Sequence, residues 1–352
     1  MPVFFAFAVL GESSSLFHSV QWGRAVPGPI EAVFKKMQKI LRVGKTLALA
    51  ASVAAAMAVR AEALQFEYVT SFGTHGSAEG QFEYVEDFAF TRAGQLLVTD
   101  AGHAWVQAFD PKTGVFLARF GGKGEGDANL EKPEGIAVDG DGNIFVADYT
   151  TGFVVKYDAD FKYVLTFSGY GAGKGQNMKS EFMEFSGDRL YMADAGNSRV
   201  DVFDASGRYL FDFGGPGAEP GQLNSPEAAK IGKDGNIYVA DLRNDRVQVF
   251  DPEGRFLRAW GRTGNRDGEF KSPSGLAIDR DGNVYVAEIG NDRVQVFDMH
   301  GAFLGKWGRK GSAQGEFGNL HGLAIDRASG LIYVADTANH RVQVFRAQSA
   351  TQ

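Results

Sequence analysis

Cysteine is absent from the 352-residue chain. Its absence excludes disulfides, thiolate metal sites, cysteine nucleophiles and a lipid anchor on an amino-terminal cysteine. The G-x-S-x-G pattern of serine hydrolases is also missing, so a serine hydrolase has no support in the sequence. The apolar run at residues 46–59 is shorter than the ~18 residues that a membrane-spanning helix needs.

The amino-terminal 63 residues differ in composition from the rest. From Met37 the chain has basic residues, then the apolar run, then Ala61-Glu62-Ala63, which is the pattern of a secretory signal peptide cleaved after Ala63. An uncut membrane anchor is the alternative. We expect residues 1–36 to be a non-native upstream extension, with translation starting at Met37, residues 37–63 to be the signal peptide, and the mature protein to be periplasmic or secreted without a membrane span.

Basic residues are in deficit after the predicted cleavage. The first 63 residues hold seven basic and three acidic side chains, so residues 64–352 keep 29 of the 36 basic and 40 of the 43 acidic ones. A net charge near −11 repels phosphate backbones unless one face is locally basic. The charge therefore argues against nucleic acid as a partner.

What the chain has in abundance is glycine and phenylalanine, arranged in a repeat. The phrase NDRVQVF occurs at residues 244–250 and 291–297, and NHRVQVF at 339–345. An acidic residue recurs in one column at spacings of 48, 46, 47, 47 and 48 residues, and a fixed period in this range signals a repeat architecture. The column consists of Asp100, Asp148, Asp194, Asp241, Glu288 and Asp336.

Each repeat contains four short alternating runs joined by glycine-rich turns such as DGDGN at residues 139–143. Four antiparallel strands repeated six times predict an all-β, six-bladed propeller over residues 64–352. The sixth repeat lacks a fourth strand, whereas FEYVTSFG at residues 66–73 precedes the first repeat and resembles a fourth strand. We therefore expect the amino-terminal strand to complete the last blade and close the ring.

The segment SPSGLAIDRDGNVYVAEIGNDRVQVFD at residues 272–298 resembles an NHL repeat, and six such units resemble the six-bladed NHL β-propellers. The resemblance is strong in repeats four to six and weaker in repeats one to three. It implies an interaction platform, and we expect a monomer. Some similar propellers are lyases, including a peptidyl-α-hydroxyglycine amidating lyase with zinc held by three histidines and calcium deeper in the channel. Here three converging histidines are not evident, since only His321 stands at the channel mouth.

The position before each first strand predicts a channel-mouth ring. If the side chains converge, a divalent cation such as Ca²⁺ or Zn²⁺ could be held by Glu86, Glu134, Glu181, Glu227 and His321; otherwise the glutamates point into solvated loops. The ring consists of Glu86, Glu134, Glu181, Glu227, Ser274 and His321.

In repeats three to six an arginine follows the acid of the column by five residues, which predicts ion pairs that fix the shape of each loop. The pairs are Asp194 with Arg199, Asp241 with Arg246, Glu288 with Arg293 and Asp336 with Arg341. The motif DGDGN lacks the ligand spacing of a calcium loop and predicts a turn.

Repeats one and two carry other residues at these loop positions, namely His103, Trp105, Tyr149 and Phe153. Aromatic groups on a loop face suit binding of a partner or an apolar ligand, although they could equally pack between blades. We expect a binding or scaffold protein that recognises a protein, peptide or glycan through this face. The alternative is a metal-dependent lyase or hydrolase.

Overall fold

β-Strands make up nearly all of the regular structure. The computed structural model describes residues 63–124 and 126–348, so the predicted extension and all of the predicted signal peptide except Ala63 lie outside the described residues. Two single 3₁₀ turns, Leu242–Asn244 and Thr337–Asn339, are the helical elements of this part of the chain. Accordingly, none of its helices has the length and apolar character needed to cross a membrane.

The chain begins with β1 (Gln65–Phe72), and twenty-three further strands follow in six units. Unit one holds β2 (Val85–Phe90), β3 (Leu96–Asp100), β4 (Trp105–Phe109) and β5 (Phe116–Gly121). Unit two holds β6 (Pro133–Val138), β7 (Ile144–Asp148), β8 (Phe153–Tyr157) and β9 (Tyr163–Ser168). Unit three holds β10 (Ser180–Ser186), β11 (Arg189–Asp194), β12 (Arg199–Asp204) and β13 (Tyr209–Gly214).

The later units follow the same order. Unit four holds β14 (Pro226–Ile231), β15 (Ile237–Asp241), β16 (Arg246–Phe250) and β17 (Phe256–Trp260). Unit five holds β18 (Pro273–Ile278), β19 (Val284–Glu288), β20 (Arg293–Phe297) and β21 (Phe303–Trp307). Unit six holds β22 (Leu320–Ile325), β23 (Leu331–Asp336) and β24 (Arg341–Gln348).

Successive strands within each unit pair antiparallel, and β1 pairs antiparallel with β24, from Gln65 opposite Gln348 to Phe72 opposite Val342. The described strands form five sheets, four of four strands and one of eight. The eight-stranded sheet joins units three and four through one parallel pair, Phe182 with Ala228. The all-β prediction is confirmed, whereas the described sheets are five and not the six separate sheets that the repeat predicts.

Tight turns connect the first and second strands. In unit two, Asp139 accepts hydrogen bonds from the backbone N–H of Asn143 at 2.8 Å and from its side chain at 2.7 Å. Gly142 has φ of +93°, a conformation that a residue with a Cβ rarely adopts. The DGDGN segment is therefore a turn, as predicted.

The core lies between neighbouring units. Phe88 of unit one belongs to the same buried cluster as Tyr333 and Val344 of unit six, for example. The first strands β2, β6, β10, β14, β18 and β22 each pack against the next, and β22 packs against β2. These six strands therefore surround a central space, and residues at their two ends define its two openings.

Candidate functional site at the channel mouth

The predicted channel-mouth ring lies at the amino-terminal ends of the first strands. In every unit the pairing of first and second strands shifts register at this point, for example between Val85 and Phe88. A β-bulge of this kind turns a side chain away from the regular alternation. Glu86, Glu134, Glu181 and Ser274 are buried, whereas Glu227 and His321 are partly exposed.

Glu86 and His321 form a pair across the junction of units one and six. Oε2 of Glu86 lies 2.8 Å from Nδ1 of His321. Burial raises the pKa of Glu86 to about 7 against the opposing charge of His321. Burial lowers the pKa of His321, but the charge of Glu86 outweighs it and raises that pKa to about 9. The imidazolium is therefore the dominant form of His321 at neutral pH.

Tyr84 and Asn319 complete this side of the mouth. The Tyr84 hydroxyl lies 3.4 Å from Nε2 of His321, and the side-chain amide of Asn319 donates to that hydroxyl at 3.1 Å. Burial, followed by the charge of Glu86, raises the pKa of Tyr84 to about 12. The mouth thus contains a neutral phenol beside a charged imidazole.

Lys132 supplies a second positive charge. Its ammonium forms a salt bridge with Oε1 of Glu134 and lies 4.0 Å from the centre of the Tyr149 ring. Although burial lowers the pKa of Lys132, the charge of Glu134 raises it above its usual value. Lys132 therefore stays charged and neutralises one of the four glutamates.

The remaining glutamates repel each other. Burial, and then the charges of Glu134 and Glu227, raise the pKa of Glu181 well above its usual value. Burial also raises the pKa of Glu227. Carboxyl groups in this position share protons rather than all ionising.

The arrangement does not match a metal site. Within residues 63–124 and 126–348, no three His, Asp or Glu side chains are grouped so that they could hold an ion. Lys132 and His321 occupy the positions beside Glu134 and Glu86 that a cation would otherwise take. We therefore derive no chemical step through a metal, and the cation predicted from the sequence stays a prediction.

The aromatic residues predicted on the loops separate into two groups. His103 stacks on Trp105 with ring centres 4.4 Å apart, and both donate to Oδ2 of Asp100, at 2.7 and 3.2 Å. Arg119 covers the Trp105 ring at 4.0 Å. In unit one, His103 and Trp105 thus make the contacts that asparagine and arginine make elsewhere, and they hold the loop.

Unit two exposes its aromatic residues instead. Phe153 is 42% exposed, and Tyr170, in the loop that enters unit three, is 60% exposed. The two lie close together. Gly152, the residue before Phe153, is so near Tyr170 that a Cβ added to it would be 2.8 Å from the backbone nitrogen of Tyr170. Tyr149 lies closer to the channel mouth, under Lys132. Unit two therefore carries an aromatic surface beside the mouth.

All four predicted acid–arginine pairs are present. The nitrogen–oxygen distances are 3.5 Å for Asp194–Arg199, 2.7 Å for Asp241–Arg246, 2.6 Å for Glu288–Arg293 and 2.6 Å for Asp336–Arg341. The acids are fully buried, so these pairs are not the exposed kind considered from the sequence. All four arginines also donate to carbonyls in the loop before the first strand of their own unit. Arg246, for example, binds the carbonyls of Ala218 and Gln222.

Unit three differs from units four to six in the residue two positions after the arginine. In units four to six a glutamine follows the arginine by two residues and donates to the buried acid. Unit three has Asp201 at this position, and Arg199 donates to it at 3.0 Å. Burial raises the pKa of Asp201 to about 8, and neighbouring Asp194 contributes to the increase.

An alignment of the six units could have identified some of the site residues that the sequence analysis did not name. Tyr84, Lys132 and Asn319 occupy one column two residues before the ring, and their departure from the serines of units four and five was a usable signal. Tyr170 lies in a loop of variable sequence and left no such signal.

Comparison with known proteins supports the repeat and the fold. Residues 270–297 and 317–345 match the NHL repeat. No curated protein matches the chain.

Among solved structures, the chain is similar to a protein of unknown function from Bacteroides thetaiotaomicron, with a TM-score of 0.63 and 15% identity over 81% of this chain and 76% of that one. It is also similar to a gluconolactonase from Xanthomonas campestris, with a TM-score of 0.60 and 17% identity over 84% and 93% of the two chains. A virginiamycin B lyase from Staphylococcus aureus has a TM-score of 0.56 and 13% identity over 80% and 98%. Likeness at these identities concerns the fold, so the chain contains NHL repeats at residues 270–297 and 317–345 and has the β-propeller fold.

Proposed function

We propose that the protein is a monomeric, periplasmic or secreted binding propeller that recognises a protein, peptide or glycan through the loops around the channel mouth. The observation that carries the proposal is the exposure of Phe153 and Tyr170 beside the mouth. Exposed aromatic rings provide large contact areas at low entropic cost, and they are enriched at binding sites.

We also propose that the propeller has six blades and is closed by β1. Each blade corresponds to one unit, with β1 as the outer strand of the sixth. The pairing of β1 with β24 and the packing of β22 against β2 support this proposal. The join between units three and four is a single residue pair, which is compatible with two neighbouring blades.

The binding surface comprises Phe153 and Tyr170, with Tyr149 and Lys132 at its inner edge. Lys132 and Lys179 lie 4.0 and 5.8 Å from the centre of the Tyr149 ring. The surface therefore combines aromatic faces with nearby positive charge, whereas the interior of the mouth is acidic. A ligand with an apolar or sugar ring and hydrogen-bonding groups fits this combination.

The test is binding to defined glycan and peptide arrays, followed by titration of the best binder. The double variant Phe153→Ser, Tyr170→Ser is expected to weaken binding at least about tenfold, because two contact rings are removed. The matched control is the double variant Tyr163→Ser, Val164→Ser. These two residues are also exposed, but they lie at the end of β9 that is away from Phe153 and Tyr170. Equal affinity of the Phe153/Tyr170 variant and the wild type would contradict the proposal.

The second candidate is the lyase or hydrolase given above as the alternative. The Glu86–His321 pair is the observation that favours an enzyme, although it does not itself favour a metal. A carboxylate that orients an imidazole is a common arrangement in general acid–base catalysis. The discriminating experiment is elemental analysis of purified protein combined with turnover of a lactone and a peptidyl-α-hydroxyglycine. Stoichiometric zinc or calcium, with turnover abolished by His321→Ala, would favour the enzyme over the binding protein.

A further inference from the structure

Glu181 and Glu227 are adjacent at the channel mouth. The residues that follow them, Phe182 and Ala228, form the parallel pair that joins the first strands of units three and four. Neighbouring strands of a sheet lie about 4.8 Å apart, so this pair holds the two glutamates side by side. The register with the second strand shifts at the same point in both units, and the two side chains therefore turn towards the mouth together.

The other two glutamates of the mouth have cationic partners. Oε2 of Glu86 lies 2.8 Å from Nδ1 of His321, and Lys132 forms a salt bridge with Glu134. These two cations belong to units six and two, so the paired charges lie in units six, one and two.

Glu181 lacks a partner of this kind. It is 5% exposed, and within the described part of the chain no lysine, arginine or histidine lies within salt-bridge distance of Glu181 or Glu227. Lys179, two residues before Glu181, is exposed and lies 5.8 Å from the centre of the Tyr149 ring instead. The groups that act on Glu181 are carboxyl groups, because burial, and then the charges of Glu134 and Glu227, raise its pKa.

The fold does not require this acidic pair. Unit five has Ser274 at the same position and forms the same first strand. Two carboxylates side by side repel each other unless a cation lies between them, and burial increases the cost. Four ring glutamates and two paired cations leave an excess of two negative charges at the mouth when all are ionised. A cation from a ligand would remove this repulsion.

The arrangement of the two carboxyl groups favours an extended cation over a metal ion. No three acidic or histidine side chains of the described residues are grouped to hold a metal. A guanidinium is planar and presents five N–H groups in a fixed fork, so it can bond two neighbouring carboxylates at once. An ammonium is a compact point charge and fits such a pair less well.

We propose that the ligand of the channel mouth is an arginine-containing peptide segment, whose guanidinium bonds to both Glu181 and Glu227. This inference rests on the binding function proposed above and names the class of ligand. The loop that enters unit three carries exposed Tyr170 and leads into β10, which contains Glu181. Peptide residues next to the arginine therefore contact the aromatic surface of Phe153 and Tyr170.

The test is isothermal titration of the wild type with three peptides, acetyl-Trp-Gly-X-Gly-amide, in which X is arginine, lysine or citrulline. Citrulline has nearly the shape of arginine but carries no charge. The arginine peptide is expected to bind at least about tenfold more tightly than the citrulline peptide, because charge-assisted hydrogen bonds are the stronger ones. The lysine peptide should lie between them. Equal affinities for arginine and citrulline, or no measurable binding of the arginine peptide, would overturn the proposal.

A pair of double variants locates the site. Glu181→Gln, Glu227→Gln keeps the shape of both side chains and removes their charges, so it is expected to abolish the preference for arginine over citrulline. The matched control is Glu79→Gln, Glu131→Gln, which removes the same net charge from exposed acids in the loops that enter units one and two. A preference unchanged by Glu181→Gln, Glu227→Gln would contradict the proposal. The comparison of peptides uses the wild type and stands even if a variant fails to fold.

Failure of this inference differs from failure of the proposed binding surface. The variant Phe153→Ser, Tyr170→Ser removes aromatic contacts and keeps both glutamates, so it should weaken the arginine and citrulline peptides by the same factor. Such weakening without an arginine preference in the wild type would overturn the arginine site and leave the binding surface supported. An arginine preference that this variant leaves unchanged, with unchanged affinities, would support the arginine site and contradict the aromatic surface.

Discussion

At the scale of single residues, function is indicated where one unit departs from the others. Trp105 and His103 differ from the arginine and asparagine of other units but make equivalent contacts with Asp100, so these substitutions have a structural role. Phe153 and Tyr170 depart and are exposed. Asp201 departs and places a second carboxyl group beside Asp194, which is a cost to stability rather than a contact surface.

We predict that Asp201→Asn stabilises the protein in a pH-dependent manner. The folded-state pKa of Asp201, about 8, lies above its value of about 4 in an unfolded chain. The wild type therefore has its full stability below about pH 4 and loses it as the pH rises towards 8. The gain from Asp201→Asn should grow over this range to roughly 1–3 kcal/mol, the cost of an unsatisfied buried group.

Chemical denaturation from pH 4 to 9 measures this gain. Asp160→Asn is the control, because the Asp160 side chain is highly exposed, and it should show no such pH dependence. A gain of the same size at pH 4 and pH 8 would show that Asp201 is not the titrating group.

At the scale of elements, the acid–arginine pairs connect the start of each third strand to the loop that enters the same unit. Arg246 binds Asp241 and carbonyl groups of residues 218–222 together. Removal of the arginine leaves a buried carboxylate without its main partner.

We predict that Arg246→Met destabilises the protein by roughly 3–5 kcal/mol, the usual cost of breaking a buried pair. The double variant Asp241→Asn, Arg246→Met should recover part of that loss, because no uncompensated charge then stays buried. Arg255→Met is the matched control, since Arg255 pairs with Asp251 at the surface, where a pair contributes about 0–1 kcal/mol. Urea denaturation of the four proteins measures the differences; equal losses for Arg246→Met and Arg255→Met would contradict the prediction.

The strands and turns were predictable from the sequence because their signals are local. The alternation of apolar and polar residues and the glycines at positive φ act within one unit, and the period of about 47 residues shows that the units repeat. The position of the channel-mouth ring followed from the same alignment. The charge compensation by Lys132 and the contact between Asp87 and Lys230 did not, because these pairings depend on where bulges direct side chains and on which units face each other.

At the scale of the whole molecule, β1 joins the two ends of the described chain. Phe66 of β1 stacks on Trp307 of unit five at 4.0 Å, and β1 pairs with β24 along its length. Without β1, the backbone groups of β24 would be exposed at a sheet edge, and such edges promote association with other chains.

We predict that a protein starting at Thr74 unfolds at a lower temperature and self-associates, whereas one starting at Ala63 behaves as a monomer. Both should be expressed directly and compared by calorimetry and by light scattering. A monomeric protein of unchanged melting temperature that starts at Thr74 would show that β1 is dispensable.

The pairing of β1 with β24 also determines when the molecule can be completed. Gln65 is among the first described residues to leave the ribosome and its partner Gln348 among the last, so β1 stays unpaired throughout synthesis. Contacts between residues so distant in sequence form slowly. The strand that emerges last is therefore the one that supplies the partner of β1.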